Sequence, residues 1–449
     1  MLSIAALVIA GESVFLLPFV LARVFRPTLL EVFDLTNLEL GTAYSVYGVV
    51  AMAAYFFGGP LADKFPARIL LAIALVSTAA GGLVMLTVPS FSTLVALYAY
   101  WGVTTIALFW APLIRATRQW GGEDEQGRAF GLLDGGRGLL AALMGVIMVV
   151  LFAGLLPADS EAASLAEKTD ALRHVILVLS CMTFAAAVLV ILALPNNDPS
   201  ETGANQPLSL KGVARVAVLP SVWLQAAIIL CAYVGFKAID DFSLYANQVI
   251  GLDEVDAASA GVLSLWIRPF AAVGAGLLAD RIGASTMTVI SFALLAVGSL
   301  ILASGLIGAG MVWIFLLTIV CSSIGIFALR GLYFAIMREG KVPRAFTGAA
   351  VGLVSVIGYT PDVFMGPLMG YLLDQSPGAA GHQHVWKSSF LLRSTRCRQG
   401  RCRSSTLEAN PWCAYFLLSL CSLRSGPRRF TPKRSRPQKS STRCSIRPS

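Results

Sequence analysis

Runs of about twenty apolar residues recur through most of this chain, and no other feature constrains its fold as strongly. A run of that length crosses a hydrocarbon layer of about 30 Å as a helix, the form that pairs every backbone group within its own segment. Charged residues make up 13% of the 449, against roughly a quarter in soluble domains. That is too few to wet the surface of a soluble protein. A membrane barrel would alternate polar and apolar residues over segments of about ten, and this chain does not. The expected fold class is an all-α polytopic membrane protein.

Apolar runs and their breakers place eleven helices near 2–25, 40–62, 69–88, 92–114, 128–156, 172–194, 217–248, 257–279, 284–304, 309–337 and 345–373. Two connections are long. Residues 157–171 are polar and acidic, and 195–216 are rich in Pro, Asn and Ser and divide the chain after six helices. Cytoplasmic loops retain Lys and Arg. One set of alternate loops carries Lys64, Arg68, Arg115, Arg118, Arg128, Lys211, Arg215, Arg281, Arg338, Lys341 and Arg344. The other carries Lys168 and Arg173, joined by Arg23 and Arg26 if the first helix ends early. The first set, and with it the N-terminus, is expected in the cytoplasm.

The formal charge of +9 conceals a division. From Lys387 onward there are 15 Lys and Arg against one acid, Glu408, whereas the preceding chain holds 19 basic and 24 acidic residues. Cys397, Cys402, Cys413, Cys421 and Cys444 also fall in that last stretch; Cys181, Cys231 and Cys321 lie in apolar runs. A twelfth helix is due after residue 380, yet composition and cysteine usage change together near 386. The one apolar run beyond, 411–423, is too short to span. We read 386–449 as an aberrant tail produced by a shifted reading frame, with the twelfth helix lost.

An internal repeat organises the rest. "GPLADKFPAR" (59–68) corresponds to "GLLADRIGAS" (276–285), with Asp63 and Asp280 separated by 217 positions, and "RAFGLL" (128–133) corresponds to "RAFTGA" (344–349), with Arg128 and Arg344 separated by 216. Both pairs fall in loops on the same side. The chain is therefore expected to form two parallel halves, 1–194 and 217–385, joined by a linker over 195–216.

Six plus six helices, with G-x-L-A-D-[RK] between the second and third of each half, resembles the major facilitator superfamily over residues 2–385. The resemblance implies a bacterial inner-membrane permease with a cytoplasmic gating motif. That motif is carried here by Gly59, Asp63, Lys64 and Arg68 and by Gly276, Asp280 and Arg281. Pro66 stands where glycine is usual, and Ala284-Ser285 where basic residues are usual. "WAPLIRATRQW" (110–120) followed by "EQGRAFG" (125–131) is similar to the loop before helix 5 of organophosphate and organic-anion permeases. The pattern also resembles an uncharacterised bacterial permease branch.

Charged residues inside the spans carry the functional reading, because each costs a few kcal/mol on insertion scales. The octet "GLLDGGRG" (131–138) imitates a phosphate loop, but it opens a span and lacks that loop's Lys and hydroxyl. Its Arg137 lies roughly 14 Å into helix 5, near the midplane. Arg268 reaches a similar depth in helix 8, Arg330 a shallower one in helix 10, and Lys237 is central in helix 7. An anion clamped by Arg137 and Arg268, with Arg330 or Lys237 assisting, suits guanidinium geometry. Tyr47, Trp266 and Tyr359 are the aromatic candidates at that site. Glu12, Asp240, Asp241 and Asp362 are the candidate proton carriers. The alternative is that these charges neutralise one another: Lys237 has i,i+3 and i,i+4 spacing to Asp240 and Asp241, and Asp134 precedes Arg137 by three.

His174, His382 and His384 fall outside the expected spans, so no buried histidine relay is expected, and His382-x-His384 has no further metal ligand in view. No nucleophile–base set points to an enzyme, and no cofactor, metal or nucleic acid is expected. The expected partners are a small-molecule solute and the lipid bilayer, with the chain a monomer. The favoured function is a secondary transporter of a small organic anion, proton-coupled or exchanging. A neutral-solute or drug exporter of the same fold, and a non-transporting membrane sensor, are the competing readings.

Overall fold

A computed structural model describes residues 1–122, 125–157, 160–195, 217–333 and 347–391, so residues 196–216 of the expected linker and 392–449 of the expected tail lie outside the described residues. Ten helices among the described residues are long and apolar enough to cross a membrane. They are α1 (Leu2–Val24), α2 (Asn37–Lys64), α3 (Ala67–Met85), α4 (Phe91–Gly121), α5 (Gln126–Leu155), α6 (Leu165–Ala193), α7 (Pro220–Ile250), α8 (Glu254–Ile282), α9 (Ala284–Ser304) and α10 (Val312–Leu332). An eleventh is broken at Tyr359-Thr360 into α11a (Thr347–Gly358) and α11b (Pro361–Gln375). Leu83, Val150, Leu192, Phe270, Trp313 and Leu317 are exposed on the outside of the bundle, as lipid contact requires.

The sequence reading needs two changes of boundary. The acidic stretch 157–171 is partly helical, because Ser164 and Glu167 form a capping box that starts α6 seven residues early. The chain also does not leave the bundle near 380: α12 (Ala379–Leu391) follows, and Val385 and Trp386 are fully buried. The first turns of the twelfth helix are thus present, and Trp386, read as the first residue of the tail, belongs to its packed face.

Several helix starts gather on the face opposite Met1. Thr36 and Glu39 box the start of α2, Asp253 caps α8, and a short helix, Arg26–Val32, follows α1. Here the two halves are fastened. The Asp374 carboxylate accepts from the backbone N–H groups of Asn37 and Leu38 and from the Asn37 amide, at 2.8–3.1 Å. The Lys168 ammonium binds Glu31 at 3.0 Å and Glu254, in the other half, at 2.6 Å. Between α2 and α11b the backbones touch: a Cβ on Gly41 would collide with the Gly366 carbonyl oxygen. Only glycine permits that approach.

The two ends of the bundle differ. On the Met1 face the signature segments stand exposed, and no ion pair involves Asp63 or Asp280 among the described residues. If the Gly41–Gly366 contact sets the closure, Gly366→Val will keep α2 and α11b apart. In a cysteine-depleted background carrying Asn37→Cys and Asp374→Cys, cross-link yield should fall several-fold on adding Gly366→Val; an unchanged yield would show that the glycines do not govern closure.

Candidate functional site

Ionisable side chains in the bundle interior fall into three groups. The first is built on Glu12 of α1, which is 3% exposed. Its carboxylate lies 3.3 Å from the Arg137 Nε of α5 and 3.3 Å from an Arg268 terminal nitrogen of α8. One acid therefore holds an arginine from each half. Arg137 also donates to the Gly11 carbonyl at 3.0 Å and lies against the rings of Phe15 and Trp110. Gly11 has to be small, since a Cβ there would stand 3.0 Å from the Arg137 Cδ. Asp134 pairs with Arg268 at 3.4 Å rather than with Arg137, three residues along its own helix. It is 57% exposed, so this cluster opens onto accessible space on one side.

The second group lies toward the face opposite Met1. Asp240 accepts from the Arg23 Nε at 2.6 Å across the halves, and Lys237 approaches Asp240 at 3.7 Å and Asp362 at 3.4 Å. Arg26 donates to the Asp240 carbonyl and to Asn37, and Tyr233 donates to Asp362 at 3.0 Å. Asp240 can serve both sides because α7 tightens into a 3₁₀ turn at Ile239–Asp241, a departure often found at functional sites. Two guanidinium groups lie over the Phe236 ring, Arg23 at 4.9 Å and Arg330 at 3.8 Å. Arg330 is partly buried and also lies 5.9 Å from the Tyr233 ring. Among the described residues it has no ion pair and no hydrogen bond.

Asp241, the third centre, points the other way from Asp240. It is fully buried and faces His382 and Trp386 of α12. The expectation that all histidines lie outside the packed bundle is therefore wrong for His382, which is 0% exposed. The apolar pattern missed it because α12 is short and of low apolarity.

The structure brings Glu12, Arg137 and Arg268 together, and Lys237 with Asp240 and Asp362; it separates the first set from Asp241. Tyr359 meets Tyr233 edge-on at 5.0 Å near Arg330. Tyr47 is buried, its hydroxyl bonded to Thr105 at 2.8 Å, and Trp266 packs partly buried against the N-terminal core. Of the gating residues, Asp63, Lys64, Asp280 and Arg281 are exposed, Gly59 and Gly276 have open space where a Cβ would be, and Arg68 reaches the Ile191 carbonyl at 3.5 Å. Arg115 donates to the Ala62 carbonyl at the end of α2. Lys341 and Arg344 lie outside the described residues. Among those described, no group of His, Cys, Asp and Glu is arranged to hold a metal ion.

Sequence reasoning gave Arg23 and Arg26 no role in the site, counting them with a loop if the first helix ended early. A signal was available: Arg23 and Asp240 are 217 positions apart, the same offset as the repeat. Equivalent positions of two halves meet only near the axis relating them, so the offset applied to the end of α1 selects this pair.

Comparison with known proteins places these features. Residues 2–367 match the profile of the Major Facilitator Superfamily. The inner membrane protein YqcE of Escherichia coli (strain K12) is 25% identical over 378 residues, 82% of this chain and 86% of that protein. The inner membrane protein YihN of the same organism is 25% identical over 394 residues, 85% of this chain and 89% of that one. Among solved structures, the nucleoside transporter NupG superposes with a TM-score of 0.63 at 15% identity, covering 87% of this chain and 97% of its own. A bacterial homologue of the human lysosomal transporter Spinster, inward-facing and unoccupied, gives 0.65 at 13% identity, covering 87% and 93%.

Removing one partner of a buried ion pair leaves a charge unpaired, at a cost of about 3–5 kcal/mol. Glu12→Ala should lower the thermal unfolding midpoint in detergent markedly, and adding Arg137→Met should recover part of the loss, because Arg268 retains Asp134. Additive losses in the double variant would contradict the bridging role of Glu12.

Proposed function

Because the chain belongs to the Major Facilitator Superfamily, we propose that it is a secondary permease carrying a small organic anion across the inner membrane by alternating access, with its N-terminus in the cytoplasm. It is a membrane transporter and not an enzyme. The observation that carries the anion reading is Arg330. In the bundle interior Arg23, Arg137, Lys237 and Arg268 each have a carboxylate within 3.7 Å, whereas Arg330 has no ion pair among the described residues and lies over the rings of Phe236 and Tyr233. A guanidinium held over Phe236 keeps its N–H edge free, and a carboxylate, sulfonate or phosphate supplies the two oxygens that edge fits.

Glu12 provides the coupling. In its ionised form it occupies Arg137 and Arg268, and a proton on Glu12 releases both for the solute's charge. Proton and anion then bind together, one from each half contributing an arginine to the bound solute. With the N-terminus cytoplasmic, the fastenings at Asp374 and Lys168 close the external side while the signature loops stand open inside. Asp63 and Asp280, which have no ion pair among the described residues, close the cytoplasmic side in the opposite state. The rival reading, a carrier of neutral solutes, draws on the internal balance of Arg137 and Arg268 by Glu12 and Asp134; it leaves Arg330 without a role.

In proteoliposomes, uptake of a panel of carboxylates, sulfonates and sugar phosphates should exceed that of a nucleoside. Arg330→Gln should reduce anion uptake about tenfold or more, the scale of a lost charged hydrogen bond, and Arg330→Lys should restore only part of it. Anion uptake unchanged in Arg330→Gln would overturn the assignment.

A further inference from the structure

Asp241 and His382 form a centre that the anion reading does not use. Both are fully buried. The His382 Nδ1 lies 2.9 Å from one Asp241 oxygen and 3.0 Å from the other, and the Trp386 indole N–H donates to Asp241 at 3.0 Å. The remaining ring nitrogen, Nε2, lies 3.1 Å from the Gln248 side-chain oxygen. Gln248 is exposed and lines a cleft of about 400 Å³ on the face opposite Met1, together with Glu31, Asn37, Asn247, Glu254 and Asp374. A buried ring is thus one hydrogen bond from an acidic, open cleft.

The other groups around the ring leave this pair to itself. Tyr245 meets the imidazole edge-on at 5.1 Å, with its hydroxyl directed to the Ile307 carbonyl. From α7, Lys237 is committed to Asp240 and Asp362; from α11b, Asp374 is committed to Asn37 and Leu38. On α12 itself His384 is exposed and Lys387 partly buried, and α9, which packs against it, has no charged residue. Among the described residues Asp241 has no cation beside it other than the imidazole, and an unpaired carboxylate in such surroundings is costly.

We propose that Asp241 and His382 constitute a proton-binding site, loaded from the cleft through Gln248 and separate from the Glu12 cluster. The proton adds to the lone pair of Nε2. It converts a neutral ring beside a carboxylate into an imidazolium–carboxylate pair, so the buried centre passes from one negative charge to none. Both nitrogens of the imidazolium donate, Nδ1 to Asp241 and Nε2 to the Gln248 oxygen. When the proton leaves to the cleft, rotation of the Gln248 amide presents its N–H group to the bare Nε2, so both states are satisfied. The site adjoins Asp240 in the same 3₁₀ turn, one residue from the acid that holds Arg23 across the halves.

The chain has three histidines, which makes the test direct and independent of any transported solute. Full-length protein labelled with nitrogen-15 histidine in lipid nanodiscs is followed by NMR, with His174→Gln and His384→Gln, both at exposed positions, assigning the third ring. Wild-type His382 should pass between the neutral and doubly protonated forms as the pH is lowered over the range in which the protein stays folded. Asp241→Asn should weaken proton binding at that ring about tenfold or more, the effect of removing an adjacent opposite charge. Gln248→Leu, at an exposed position, should weaken it in the same direction. A wild-type His382 ring that keeps one protonation state across the range would overturn the proposal, as would a titration indifferent to both substitutions.

Discussion

Everything in the interior of this bundle is arranged around the cost of charge in a membrane, and the decisive contact is the Glu12 carboxylate held between Arg137 and Arg268. Each of these groups alone costs a few kcal/mol at a span centre. Together they are tolerable, and they join α1 and α5 of one half to α8 of the other. A contact of that kind is electrically switchable: protonating one atom removes the acid from both arginines. The fastenings of α2 to α11b differ in nature, because Gly41 and Gly366 require only that the two backbones meet.

Alternating access in a parallel repeat demands contacts that part cleanly, and the two ends of this bundle meet that demand differently. At the face opposite Met1 the contacts are small residues, caps and a shared lysine. At the Met1 face they would be the Asp and basic residues of the two signature segments, which stand exposed in this structure. Between these ends the Arg23–Asp240 pair sits on equivalent positions of the two halves. A pair on the repeat axis is well placed to register their relative rotation, and Phe236 links it to Arg330 through two stacked guanidinium groups.

Most of the fold was legible in the sequence, because apolar run length and the 217-residue repeat are long-range signals that one residue cannot blur. The eleven expected spans recur where the chain is described, with α6 starting seven residues early and α4 ending seven residues late. The site was legible in membership and not in pairing. Arg137, Arg268, Glu12, Lys237, Asp240 and Asp362 declare themselves as charges in apolar runs. That Asp134 serves Arg268 rather than Arg137 follows from the packing of α5 against α8, for which spacing along one helix carries no information. His382 escaped because α12 is too short and too polar to register as a span, and its burial comes from the partners it meets: Asp241, Tyr245 and Gln248.

The central claim is that anion binding and protonation of Glu12 are one event. By thermodynamic reciprocity, an anion that binds more tightly to the protonated form must draw a proton from solution as it binds. The direct measurement is proton uptake by the purified protein in weakly buffered detergent solution, using an anion that the uptake panel identifies. The account predicts uptake of about one proton per bound anion in the wild type, tighter anion binding as pH falls, and no uptake in Glu12→Gln. Anion binding without proton uptake in the wild type, or uptake that persists unchanged in Glu12→Gln, would contradict it.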